Sequence, residues 1–188
     1  MDHPVIKKLS TVGTFSSEDL QLLAGKMTFR ELKKGEIWLE KGQVCSSIGL
    51  IQKGAMYQYL MDDQGDLKVR DLRIENDWIL QHQSFISRSP SDSVIEAFED
   101  TTLYELHIDS LHALISQSPV FFQLGTILDS GKSESDKLNS MTSPQAKYLH
   151  LIDARPELIS SFPLKLIASY MRISPETLSR VRKKITEL

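Results

Sequence analysis

The spacing of apolar and polar positions changes character twice along the chain. In residues 3–27, Leu20, Leu22, Leu23 and Met27 follow Ser16 and Ser17, either of which can cap a helix. Glu18 and Asp19 fall where the positive end of that helix would lie, so 3–27 is predicted helical. From about 28 to 108 the runs are short and rich in β-formers. Segments 37–39, 47–52, 55–61, 67–74, 94–98 and 103–108 read as strands, punctuated by Gly at 35, 42, 49, 54 and 65. Asp62-Asp63-Gln64-Gly65-Asp66 is a hairpin turn signal. Strands this short and this frequent predict a sandwich, jelly roll or β-roll.

Helical spacing returns after His107. Asp109 is placed to cap 110–117, and Pro119 to open the next helix at its first turn. Val120, Leu124, Ile127, Gly131, Glu134, Leu138 and Met141 step by four and three, the heptad spacing of a dimerisation helix, with Gly131 and Glu134 as weak seam positions. Ser143-Pro144 starts a helix to about 152, Pro156 breaks the chain, Pro163 starts a helix to about 171, and Ser174-Pro175 starts the last. The Ser-rich stretch 130–143 is the candidate linker.

Composition narrows the class. The 188 residues are 40% apolar and 25% charged, with 7 Pro and 9 Gly, which excludes collagen-like, low-complexity and wholly disordered chains. No apolar run approaches the ~18–20 residues of a bilayer span. The first eight residues lack the apolar segment of a secretory signal. A soluble, cytoplasmic protein with no membrane partner is expected. One cysteine, Cys45, excludes an intrachain disulfide framework, iron–sulfur cluster or CxxC zinc site.

The net charge of −3 hides an asymmetry. Residues 1–163 carry a net −7. Residues 164–188 carry +4, from Lys165, Arg172, Arg180, Arg182, Lys183 and Lys184 against Glu176 and Glu187. An acidic body with a basic end points to an anionic partner at that end. There Ser174 is a good N-cap and Pro175 suits the first helical position. Leu178, Val181, Ile185 and Leu188 line one face, and Glu176, Ser179, Arg180 and Lys183 the opposite one. Only Arg172 and Ile173 separate this helix from the preceding one, which offers Ile167, small Ala168 and Met171 for packing. This is a helix-turn-helix pattern. Arg180 is placed to pair with guanine O6 and N7, Glu176 to accept from cytosine or hold Arg180, and Arg182, Lys184 and Lys165 to neutralise phosphates. The plainer alternative is a solvated basic helix with an ordinary Glu176–Arg180 ion pair.

The run Ile167-Ala168-Ser169-Tyr170-Met171-Arg172-Ile173-Ser174-Pro175-Glu176-Thr177-Leu178-Ser179-Arg180 resembles the helix-turn-helix of the Crp/Fnr family of transcription regulators. Upstream, Lys34-Gly35-Glu36-Ile37, Glu40-Lys41-Gly42 and Gly49-Leu50-Ile51-Gln52-Lys53-Gly54-Ala55 resemble the opening strands of that family's cyclic-nucleotide-binding β-roll. Ile95 to Leu103 resembles the strand and turn after its phosphate cassette. The resemblance spans about 15–188. It implies an α+β chain with a jelly-roll-like, double-stranded β-roll sensor over 1–118, a dimerisation helix over 119–141, and a helix-turn-helix domain over 142–188. With the sequence ending at Leu188, a full β-wing is not expected. The resemblance also implies double-stranded DNA with a near-palindromic operator, a homodimer, a small-molecule effector and RNA polymerase as partners. Pro175, Glu176 and Arg180 match base-contacting positions, and Ser174, Thr177, Ser179, Arg182, Lys183 and Lys184 complete the candidate contact set. Arg172 replaces the family's usual turn glycine, so a positive φ there would carry strain of about 1–2 kcal/mol.

The cassette departs from the family's nucleotide binders. It has no Gly-Glu pair. The phosphate-arginine position falls on Ser91 beside Asp92, the ribose-glutamate position falls near Gln81, and the loop's cation, Arg88, is three residues early. A cyclic nucleotide is therefore disfavoured, and the alternatives are a different small ligand, with Gln81, Arg88, Ser91 and Ser93 as candidates to hold it, or no small ligand at all. No enzyme is expected: the five histidines form no His-x-His pair, and no HExxH, GxSxG, GxxxxGK[ST] or GxGxxG occurs. The competing reading is a signalling β-roll that works through a small molecule or protein partner without reading DNA sequence.

Overall fold

The computed structural model describes residues 4–186, with side chains apart from those of 4, 129–136 and 186. Two short helices, α1 (Pro4–Leu9) and α2 (Ser17–Lys26), replace the single predicted helix of 3–27. The break has a local cause. Ser16 caps α2 by accepting from the Asp19 amide, and the Asp19 carboxylate accepts in return from the Ser16 amide. This reciprocal box fixes a start at residue 17.

Eight strands follow: β1 (Thr28–Leu32), β2 (Ile37–Leu39), β3 (Ser47–Lys53), β4 (Ala55–Met61), β5 (Leu67–Ile74), β6 (Trp78–Ile79), β7 (Val94–Ala97) and β8 (Thr101–His107). They form two antiparallel sheets, ordered β1-β8-β3-β6 and β2-β7-β4-β5, the β-roll that the family resemblance implies and one of the three architectures the runs allowed. β1 and β6 lack a clear apolar signal of their own. β1 gains its ladder from β8, and β6 from β3. Gly54 makes the β3–β4 corner at φ +97°, where a Cβ would also strike Thr101 and the Asp100 carbonyl. Gly49, by contrast, lies within β3, where a Cβ would meet Ile79 and Leu103.

A six-residue helix, α3 (His82–Ser87), interrupts the cassette loop. α4 (Ile108–Gln117) is capped by His107, whose imidazole accepts from the Asp109 amide, so the cap lies two residues before the expected Asp109. Pro119–Leu124 is a 3₁₀ turn leading into α5 (Gly125–Ser140). Next come α6 (Pro144–Ala154), α7 (Pro156–Ser161), α8 (Leu164–Tyr170) and α9 (Pro175–Thr186). Pro156 opens a helix rather than only breaking one, since a first-turn residue needs no amide hydrogen. Among the described residues no helix is long and apolar enough to cross a membrane.

Two apolar cores result. The first fills the β-roll and is closed by α1, α2, α4 and the 3₁₀ turn, with Phe121 fully buried. The second joins the C-terminal helices to the outer face of β4 and β5, through Ala55, Val69 and Leu72 against Leu158, Ile167 and Met171, among others. The heptad seam is largely absorbed by these cores. Leu124 and Ile127 are buried in the first and Leu138 in the second, because the chain itself covers those faces. Gly131 and Glu134 lie outside the described side chains.

Candidate nucleic-acid interface and sensor cassette

α8 and α9 form the two-helix unit expected from the sequence. Ile167, Ala168 and Met171 are fully buried, and so is Leu178 of α9. Val181 and Ile185 pack beside them; Leu188, the fourth member of that face, lies outside the described residues. The turn is a Schellman closure: the Arg172 amide donates to the Ser169 carbonyl and the Ile173 amide to the Ala168 carbonyl, both at 3.0 Å. Such a closure needs a left-handed residue, and Arg172 adopts φ +56°. Buried Lys147 of α6 braces the turn from below, its ammonium 2.9 Å from the Met171 carbonyl. Desolvation pushes its pKa below the usual lysine range, and the Arg172 charge pushes the same way.

Ser174 caps α9. Its Oγ accepts from the Thr177 amide at 3.2 Å, and its carbonyl accepts from the Leu178 amide at 3.0 Å. The outward face carries Glu176, Ser179, Arg180, Arg182, Lys183 and Lys184, all exposed, with Thr177 half-buried. Arg180 lies along its own helix, Nε 3.4 Å from the Glu176 carbonyl and Nη2 3.3 Å from Thr177 Oγ1. The Glu176 carboxyl is held below its usual range, first by its own backbone amide and then by Ser174 and Arg180. A helix with one apolar face seated on α6 and α8 and one charged face in solvent has the size and chemistry of a major-groove reader.

The cassette residues do converge, but on each other. Gln81 caps α3, accepting from the Ser84 amide at 2.5 Å and donating to Asp92 at 3.1 Å. Ser91 and Ser93 are buried; Ser91 Oγ donates to the Ser93 carbonyl at 2.7 Å, and Ser93 Oγ meets Gln58 Nε2 at 2.7 Å. Arg88 takes φ +55° and places Nη1 2.6 Å from the Cys45 carbonyl. Each of Gln81, Arg88, Ser91 and Ser93 already has a hydrogen-bond partner within the protein. Cys45 is buried, and desolvation pushes its thiol pKa up.

Sequence reasoning missed how the C-terminal helices dock on the roll. Arg155 Nη2 lies 2.5 Å from Asp77 Oδ2, and the Val69 amide donates to Ser169 Oγ at 2.9 Å. Beside this seam a cavity of about 890 Å³ opens between the β4–β5 hairpin and the helix-turn-helix, bordered by Ser174 and Pro175. Of its lining, Lys165, Arg172, Ser174 and Pro175 carried a signal in the sequence, as parts of the basic end and its helix start.

No protein-family model and no curated protein matches the sequence. Solved structures do match. The FixK2 protein of Bradyrhizobium japonicum aligns with a TM-score of 0.67 at 14% identity, over 86% of this chain and 85% of that one. The Thermus thermophilus catabolite activator protein aligns at 0.57 and 19%, over 92% and 84%. The chain has the Crp/Fnr fold. The c-di-GMP responsive global regulator CLP of Xanthomonas campestris shares this fold at 0.62 and 16% identity, over 92% of each chain. In this Crp/Fnr fold, the β-roll and the C-terminal helical unit are the blocks expected from the sequence.

Proposed function

We propose that the protein is a homodimeric, DNA-binding transcription regulator, with 1–118 as sensor, 119–141 as dimerisation segment and 142–188 as DNA-binding domain. The observation that carries the reading is α9. It follows a Schellman turn, seats Leu178 in the second core, and presents Glu176, Ser179, Arg180 and Lys183 to solvent on a net basic segment. Arg180 reads a guanine, Glu176 and Ser179 flank it, Arg182 and Lys184 take phosphates, and Ser174, Pro175 and Thr177 approach the groove at the helix start. Two such helices would enter successive major grooves roughly 34 Å apart. Phe122, 67% exposed at the entry to α5, is available to a second copy where the heptad leucines are not.

The sensor then answers to an effector other than a cyclic nucleotide. The support is the cassette: Gln81, Ser91 and Ser93 are buried and bonded within the protein, and the Arg88 guanidinium is bonded to the Cys45 carbonyl. A phosphate entering here would have to displace those bonds and would meet the Asp92 carboxylate.

The test is selection of bound sites from a pool of short duplexes, with wild type and Arg180→Ala. A palindromic motif is expected for wild type, with about 1–3 kcal/mol of discrimination lost at one base pair per half-site in the variant. No enrichment at low salt, with and without cell extract, would favour a signalling module that does not read DNA.

A further inference from the structure

We propose that the DNA interface extends from the helix-turn-helix onto the β-roll, where Arg70 of β5 takes a phosphate of the duplex backbone. The proposal rests on α9 being the DNA-reading helix. Arg70 lines the same concavity as Ser174 and Pro175, which begin α9, and as Lys165 of α8 and Arg172 of the turn. In a helix-turn-helix the start of the second helix meets base edges while the first helix crosses the backbone, so a surface beside both faces phosphates. Arg70, Lys165 and Arg172 are all exposed. The three basic side chains of β5 differ in what holds them. Lys68 is held by Asp62 at 3.2 Å and Asp66 at 3.6 Å, and buried Arg73 by Asp71 at 2.6 Å. Arg70 has no ion-pair partner among the described residues, so its charge is left for an anion outside the chain.

Two backbone features place Arg70. Register pairs Gln58 with Asp71 and Tyr59 with Val69, so Arg70 is the unopposed residue of a β-bulge, a device that re-aims a side chain. One residue earlier, the Val69 amide donates to Ser169 Oγ of α8 at 2.9 Å. β5 is thereby pinned to the first helix of the unit right beside Arg70. The charge sits on a strand fixed relative to α9, not on a free loop, and less ordering is lost on binding. Phosphate contacts position a protein on the duplex and base contacts specify the site, so Arg70 and Arg180 have separable roles. Because Arg70 belongs to the roll and α9 to the helical unit, a duplex that touches both favours their docked arrangement.

The experiment is a fluorescence-anisotropy titration of the full chain with the duplex recovered by site selection and with a scrambled duplex, each over roughly 50–200 mM NaCl. Wild type is compared with Arg70→Ala, Arg70→Lys, Arg180→Ala and Lys41→Ala, the last a cation that does not line the concavity. Arg70→Ala should weaken both duplexes by the same factor, about tenfold per chain near 0.1 M salt, and flatten the slope of log affinity against log salt by about 0.9 per chain. Arg70→Lys should restore the slope, and Lys41→Ala should leave it unchanged. Arg180→Ala should instead reduce the preference for the selected duplex. If Arg70→Ala loses its cooperative melt, Arg70→Gln replaces it. A wild-type slope in Arg70→Ala, or an equal loss in Lys41→Ala, overturns the assignment of Arg70 and leaves α9 as the reader. A wild type that binds neither duplex overturns the DNA-binding reading itself, and the role of Arg70 with it.

Discussion

Arg155 and Asp77, 78 residues apart, meet at 2.5 Å across the seam between the C-terminal helices and the β-roll. The Asp77 carboxylate also accepts from the Ile74 amide at 2.9 Å, so one side chain closes the turn after β5 and holds the incoming helix. Both side chains are about four-fifths buried, so solvent screening is reduced. A double-mutant cycle of Asp77→Asn and Arg155→Ala, read by denaturant unfolding, should give a coupling of about 1–2 kcal/mol. A coupling within about 0.3 kcal/mol of zero would mean that the apolar contacts alone hold the seam.

Alkaline pH should act through two tyrosines. Tyr57 and Tyr59 stack at 4.9 Å and donate to the two carboxylate oxygens of Glu96 at 2.9 and 2.8 Å. Burial, then the Glu96 bond and charge, pushes Tyr59 up to about 12 and Tyr57 higher still. In the unfolded chain both ionise near pH 10. Above that pH the native state binds more protons than the unfolded state, so stability falls with rising pH. The contribution is fully present below pH 10 and is lost progressively as pH rises through the folded values. The midpoint of thermal unfolding should drop more steeply from pH 10 to 12 in wild type than in Tyr57→Phe/Tyr59→Phe. Parallel curves would remove the tyrosines from the alkaline transition.

The sequence made the blocks legible where local physics is decisive. The hairpin 55–74 shows because two β-rich runs flank a DDQGD turn, and the observed β4 and β5 match them residue for residue. The last helix shows because Ser174, Pro175 and Leu178 combine cap, first turn and apolar face. β1 and β6 do not show, since Thr28–Leu32 and Trp78–Ile79 become strands only through ladders to distant partners. The same distinction applies to the sites. α9 is a local object, readable from spacing. The docking seam pairs residues 78 and 100 apart, and the cavity draws on β5, α8 and the turn at once, so no window of sequence contains either. The heptad shows a related limit. Periodicity reports that a face is apolar, not what covers it, and here Leu124, Ile127 and Leu138 are covered by the chain's own cores.

Arg172 offers the sharpest separation of stability from charge. Its position closes the Schellman turn, and a side chain at φ +56° costs about 1–2 kcal/mol relative to a relaxed backbone. Glycine relieves that strain but returns roughly 0.4–1 kcal/mol through the greater freedom of the unfolded chain. Arg172→Gly should therefore stabilise the protein by about 0.5–1 kcal/mol, seen as a higher denaturant midpoint at unchanged slope. Arg172→Ala keeps the left-handed strain and removes the charge next to buried Lys147, whose ammonium that charge disfavours. It should lie between wild type and the glycine variant in stability. Equal midpoints for Gly and Ala would show that repulsion from Arg172, rather than backbone strain, is what the position costs. A glycine variant less stable than wild type would mean that the arginine side chain contributes packing in the cavity that outweighs both.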